Sequence, residues 1–253
     1  MSNTVSNKVM ESFKKDFFAI KGKEFKSNRK NSTGIGKTFE DLIGVEENNN
    51  LLVDYKGEIE LKSQREYTKS RLTLFTKSPS SVKSTISTLT NAYGSNDSMY
   101  PKIKVLHTTI KCSDFNTFAG KYGFKLELDR IAKRLYVLVK DLATNVIIDR
   151  NTYWDLNEIK TKVETKCKNI AYITAETVKK NDDEYFSFQK AVLLSGLTYK
   201  SFLKHLENDT IVFEIRKGVY KSGKKAGQIH DHGAAFRIAR RDIEKVFLKE
   251  EIK

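Results

Sequence analysis

The sequence predicts a mixed α+β fold, with a helix–strand–strand–strand core first and a more β-rich lobe second. Three observations predict it. Val5, Val9, Phe13 and Phe17 recur at helical spacing over residues 5 to 21. The runs "EIELKSQ" and "RLTLFTKS" have the length and composition of strands and are separated by polar residues. Beyond about residue 111, short strand-like runs dominate: "KLELD", "RLYVLVKD", "NVIID", "NIAYITAETV" and "FSFQKAVLL". This order of elements suits a layered α+β architecture.

Each element follows from local pattern. Residues 5 to 21 form an amphipathic helix with lysines on its polar face. Residues 22 to 33 are a basic, polar loop. A second helix covers 34 to 46, with Ser32 or Thr33 as its N-cap. Asn48 to Asn50 break that pattern. "LLVDYK" and "EIELKSQ" are two strands separated by Gly57, and "RLTLFTKS" is a third. Ser80 and Ser81 cap a helix that places Val82, Ile86, Leu89 and Tyr93 on one face. Residues 94 to 101 are a loop and "KIKVLHTTI" a strand. In the second half, helices near 154 to 167 and 199 to 208 interrupt the strands. "TIVFEIRKGVY" and "AAFRIAR" end the β-rich stretch, and a helix near 241 to 249 closes the chain. The change of texture divides the chain into lobes of residues 1–110 and 111–253, which are free to interleave.

Composition narrows the function. The chain has 253 residues, 39% of them hydrophobic, enough to bury a real core. Its 46 Lys and Arg exceed 32 Asp and Glu, giving a net charge of +14. The basic residues are spread along the whole chain, which implies a folded surface with a positive face and a nucleic-acid partner. No apolar run approaches the ~18 residues of a membrane span, so no membrane partner is expected. No secretory signal is evident. Two cysteines, Cys112 and Cys167, form no metal or disulfide pattern. A reducing, cytoplasmic setting fits.

One segment offers a false lead. "TGIGKTFEDLIG", residues 33 to 44, contains the Gly-Lys-Thr that closes a phosphate-binding P-loop. Such a loop needs an earlier glycine where Asn31 stands, and a strand before it. Both are missing, so nucleotide hydrolysis is disfavoured and the segment reads as a glycine-bearing helix entry.

The chemistry is expected in "VDYKGEIELK". Glu60 and Lys62 are two apart in a strand and share a face. Asp54 faces them across the Gly57 turn. Two converging carboxylates make a Mg²⁺ site that leaves positions for water and phosphate. The neighbouring ammonium can hold an attacking water and offset charge developing on a phosphate. The acid followed by Glu-x-Lys is the D-x(n)-E-x-K core of many DNA-cleaving nucleases. Glu40, in the helix fourteen residues before Asp54, supplies a third acid.

Together, "TGIGKTFEDLIGVEENN", "DYKGEIELKSQR" and "TLFTK" resemble the MvaI/BcnI family of restriction endonucleases, within the PD-(D/E)xK nucleases. That family in turn is similar to the mismatch-repair nicking enzyme MutH. The resemblance implies a restriction-endonuclease-like catalytic core, a mixed central sheet flanked by helices, beside a β-rich DNA-recognition lobe. It places Glu40, Asp54, Glu60 and Lys62 at the catalytic positions, with Asp54 and Glu60 as metal ligands. It also implies a short, G·C-flanked, nearly palindromic duplex DNA site, a monomer that cuts the strands one at a time, and a cognate DNA methyltransferase.

"IVFEIRKGVY" and "HDHGAAFRIAR" resemble the family's base-reading segments. Arg216 and Arg237 have the fork that pairs with guanine O6 and N7, and Glu214 can accept from a cytosine amino group. His230 and His232 can donate or accept at base edges, and Gly233 allows close backbone approach. The plainer readings are a Glu214–Arg216 ion pair and a His230–His232 metal pair that lacks a third ligand. Lys217, Lys221, Lys224 and Lys225 suit phosphates or a solvated loop, and Lys77 a surface position. Two rivals share these features: a MutH-like nicking endonuclease, and a sequence-specific DNA-binding protein without catalysis.

Overall fold

The computed structural model describes residues 5–46 and 53–253. In chain order the elements are α1 (Asn7–Ile20), β1 (Glu24–Lys26), α2 (Gly34–Leu42), β2 (Glu60–Arg65), β3 (Leu72–Thr76), α3 (Ile86–Tyr93), β4 (Ser95–Asn96), β5 (Lys104–Ile110), β6 (Tyr122–Asp129), β7 (Arg134–Asp141) and β8 (Ile147–Asp155). They continue with α4 (Leu156–Lys166), β9 (Asn169–Lys180), β10 (Asp183–Ser195), α5 (Tyr199–Glu207), β11 (Ile211–Val219), β12 (Ile229–Asp231), β13 (Ala235–Ile238), α6 (Ile243–Val246) and β14 (Leu248–Glu251). The mixed α+β expectation is met.

The chain forms two compact units assembled from alternating segments. Unit one combines residues 1–72, 163–198 and 240–253; unit two combines 73–162 and 199–239. The expected break at residue 110 falls inside unit two, because β5 pairs with β11 about a hundred residues later. Strand pairing overrides the change of texture along the sequence.

Unit one is built on a mixed sheet in the order β1-β10-β9-β2, with β14 also on β10. β2 runs parallel to β9 and the other pairs are antiparallel. The expected stripe of Val5, Val9, Phe13 and Phe17 is buried, with Val5 just ahead of α1, and Ile20 extends it. α2 adds Ile35 and Phe39 to the same core, where Phe39 meets Phe188 at 5.1 Å between ring centroids. Fully burying such side chains contributes about 1.5–3 kcal/mol each. Gly34 is required at the start of α2, since a Cβ there would lie 2.2 Å from the Arg29 carbonyl oxygen. Lys37 pairs with Asp41 at 2.5 Å, one helical turn on. Thr33 stands at the N-cap but its side chain makes no cap bond.

Several elements differ from expectation. The Asn48–Asn50 break and the first two residues of "LLVDYK" lie outside the described residues. The rest of that segment is a turn with one bridge, Tyr55 to Ile59, rather than a strand. α3 begins after Thr85, whose side chain accepts from Thr88 N–H in a capping box. Val82 is therefore outside the helix and 94% exposed. β1 lies in the expected loop, and β14 lies where the closing helix was expected to continue.

Unit two contains a six-stranded sheet in the order β3-β13-β11-β5-β4, with β12 also on β11, and a three-stranded sheet β6-β7-β8. Alternation along β11 sends Phe213 and Ile215 into an apolar layer. There Phe213 packs on Trp154 at 4.6 Å and on Phe236 at 5.0 Å. Glu214, Arg216 and Gly218 occupy the opposite face.

Candidate active site

Asp54, Glu60 and Lys62 are brought together in unit one. Asp54 sits in the turn before Tyr55, and its Oδ2 accepts from the Leu61 N–H at 2.9 Å. That bond ties the turn to β2 and aims the carboxylate along the strand. Glu60 opens β2 with only 5% of its side chain exposed. Lys62, two residues on, donates from Nζ to Glu60 Oε1 at 2.5 Å. The parallel pairing of β2 with β9 fixes this face, since Lys62 lies opposite Tyr172.

A fourth group was missed in the sequence. Lys166, in the last turn of α4, has only 16% of its side chain exposed. Its Nζ lies 2.9 Å from Glu60 Oε2 and 3.8 Å from Asp54 Oδ1. The segment "KTKVETK" carries no motif, so nothing local marks this lysine among its neighbours. The two acids thus converge on one cation. Burial, and then the negative charge of Glu60, push the Asp54 carboxyl above the usual carboxylate range. Lys62 and Lys166 oppose that rise. A pair of acids whose charges raise each other's cost favours a bound cation.

The donor set fits a hard divalent ion. Two carboxylate oxygens from adjacent positions leave the remaining octahedral sites to water and phosphate. Among the described residues no three His, Cys, Asp or Glu side chains group as a metal site, so Glu40 is not gathered with Asp54 and Glu60 as a third donor. α2 packs on β2, but the Glu40 carboxylate lies back along its own helix, 3.9 Å from where a Cβ on Gly36 would be.

In unit two, all five predicted reading residues share one region. The β11–β13 and β11–β5 registers place Glu214, Arg216 and Arg237 on the same sheet face. Glu214 and Arg237 are buried and pair with each other at 2.5 Å; Arg237 also donates to Thr73 Oγ1 at 3.1 Å. Glu214 thus pairs with Arg237 from the neighbouring strand, and it also accepts from Thr109 Oγ1 at 3.4 Å. Arg216 donates to the His232 carbonyl at 2.7 Å, while its Nε is buried without a partner among the described residues. Burial, then Arg237, push the Arg216 pKa below the usual arginine value. His230 stacks on Tyr220 at 3.8 Å and lies 3.7 Å from His232 between ring centroids. The His230 and His232 rings are tilted by 40° to each other, and among the described residues no third His, Cys, Asp or Glu joins them as a metal group.

The expected phosphate lysines divide. Lys217 is buried on the core side of β11, where it donates to Ser87 Oγ at 2.5 Å. Lys221 pairs with Asp97. Lys224 and Lys225 stand exposed in a short turn. Lys77 pairs with Glu158 at 3.1 Å.

The model of the MvaI/BcnI restriction endonuclease family matches residues 14–247. The chain belongs to that family. Its structure is similar to "Restriction endonuclease MvaI-cognate DNA substrate complex", with a TM-score of 0.87 and 34% identity over 99% of this chain and 100% of that one. It is also similar to "Restriction endonuclease MvaI in the absence of DNA", with a TM-score of 0.57 and 30% identity over the same shares. Curated protein sequences gave no match. As a member of the MvaI/BcnI family, the protein is a site-specific, DNA-cleaving type II restriction endonuclease. Divalent-metal dependence is general to that class. Among the described residues no helix is long and apolar enough to cross a membrane.

Proposed function

We propose that Asp54, Glu60 and Lys62 are the catalytic set of this endonuclease and that Mg²⁺ is its cofactor. The observation that carries this reading is the convergence of Asp54 and Glu60 on one cation, with Lys62 on Glu60. Asp54 and Glu60 would hold the ion, which would supply Lewis-acid polarisation of the phosphate. Lys62 would orient the attacking water in line with the phosphodiester and offset the charge that develops there. Glu40 assists from α2 as an outlying acid. Lys166 holds the two carboxylates together against their mutual repulsion.

On the reading side, Arg216 contacts guanine, with His230 and His232 at neighbouring base edges. Glu214 and Arg237, buried and paired with each other, contribute to recognition by fixing the sheet face under Arg216. MvaI's structure with cognate DNA supports a duplex substrate for this relative. We further propose a cytoplasmic monomer that cuts a short, G·C-flanked, nearly palindromic site one strand at a time. A cognate DNA methyltransferase guards the host genome.

The test uses Asp54→Asn and Glu60→Gln on a duplex containing the mapped site. Both variants should lose Mg²⁺-dependent cleavage, by roughly 100-fold or more, while still binding the site in Ca²⁺-free buffer. Retained cleavage in either variant contradicts the assignment.

A further inference from the structure

His107 was not singled out by any motif, yet it stands on the reading face. In the β5–β11 ladder it lies directly opposite Arg216, so both side chains project from the same side of the sheet. Its ring meets His232 edge-on, with centroids 6.3 Å apart. The rings of Tyr220, His230, His232 and His107 thereby form one continuous row beside Arg216.

The backbone makes a seat for this imidazole. Gly218 follows Arg216 by two residues on the same face. A Cβ at Gly218 would lie 2.8 Å from His107 Nε2, closer than van der Waals contact permits. The φ of Gly218 is not in the left-handed region, so no turn explains a glycine there. What the glycine provides is room for the ring. His107 is exposed even so, which is unlike a side chain seated only to fill a core.

We infer that His107, seated by Gly218, is a further specificity-determining residue that reads a base edge beside the one contacted by Arg216. A neutral imidazole offers one donor and one acceptor and can pair with a base edge in either sense. Partial desolvation of the ring against the sheet, and then the charges of Arg216 and His230, push the His107 pKa below the ordinary histidine value, in the direction of the neutral imidazole. A neutral ring gains little from a phosphate and more from a base edge. The inference rests on the reading of this face as the one that meets DNA.

The experiment measures cleavage and equilibrium binding on duplexes carrying the mapped site and each single-base-pair substitution of it. It compares the wild type, His107→Ala, Gly218→Ala and Arg216→Lys. Only the far end of a flexible side chain opposes a Cβ at Gly218, so Gly218→Ala should keep its thermal midpoint while displacing the ring. The inference predicts that His107→Ala and Gly218→Ala both lose roughly tenfold or more of the discrimination at the same base pair. The salt dependence of binding should be unchanged, as expected when no phosphate contact is removed. If Gly218→Ala misfolds, His107→Gln replaces it, and partial recovery of discrimination relative to His107→Ala is expected. Unchanged discrimination in the His107 variants, with discrimination lost in Arg216→Lys, overturns the role of His107 alone. Unchanged discrimination in every variant overturns the reading face itself. Uniform weakening with a shallower salt dependence overturns the inference in favour of a phosphate contact.

Discussion

At the scale of residues, the charge arrangement makes separable predictions. Lys166 lowers the cost of holding Asp54 and Glu60 together. Lys166→Met should therefore destabilise the metal-free protein by about 1–3 kcal/mol, and Mg²⁺ should recover more stability in the variant than in the wild type. Thermal melts with and without Mg²⁺ check this, and equal Mg²⁺-induced shifts would count against it. Glu214 and Arg237 make a second case. Removing one partner of a buried ion pair typically costs about 3–5 kcal/mol, whereas replacing both with apolar residues is often close to neutral. Denaturant unfolding of Arg237→Met, and of Glu214→Leu combined with Arg237→Met, should show the single variant as the less stable. Of these groups, the grouping of Asp54, Glu60 and Lys62 was legible because they lie within a few residues of one another. Lys166 was not, because it reaches Glu60 across 106 residues of sequence. His107 was hidden for the same reason, since only strand pairing sets it opposite Arg216.

At the scale of elements, strongly periodic segments declared themselves and short ones did not. α1 has four buried residues at helical spacing, and the α4 and α5 regions were read within a residue or two. The three residues of β1 are too few to show alternation. "LKEE" consists of good helix formers, but β10 offers it a partner, and Val192 to Ser195 pair with Glu251 to Leu248. Pairing there outweighs propensity. The loop between β4 and β5 carries a pH prediction. Asp97 accepts from Lys221 Nζ and from the N–H groups of Met99 and Tyr100. The Lys221 ammonium, foremost, holds its carboxyl below the usual carboxylate range. A folded pKa below the unfolded value gives stability that is present above the unfolded pKa, about 3.9, and is lost as pH falls through the folded value. Asp97→Asn should therefore melt below the wild type at pH 7, and the difference should shrink once the wild-type carboxyl is protonated. Melting curves across that range check it; a gap that stays constant down to the acid limit would show that charge is not its source.

At the scale of the whole molecule, fold class and family were legible, and the division into units was not. Ordered motifs within about fifty residues identified the family. The units draw on alternating stretches of chain, and a linear change of composition cannot reveal which distant strands pair. The proposed catalytic carboxylates and the proposed reading face occur in different units: Asp54, Glu60, Lys62 and Lys166 in one; Arg216, His107, His230 and His232 in the other. Cleavage chemistry and base recognition should accordingly be separable by mutation. The most direct measurement is to incubate plasmid and phage DNA with the wild type and with Lys62→Ala, in Mg²⁺ and in EDTA. Discrete fragments from the wild type in Mg²⁺ alone are predicted, with the Lys62→Ala protein still bound to the site. Discrete fragments from Lys62→Ala, or from the wild type in EDTA, would contradict the metal-and-lysine chemistry assigned to Asp54, Glu60 and Lys62.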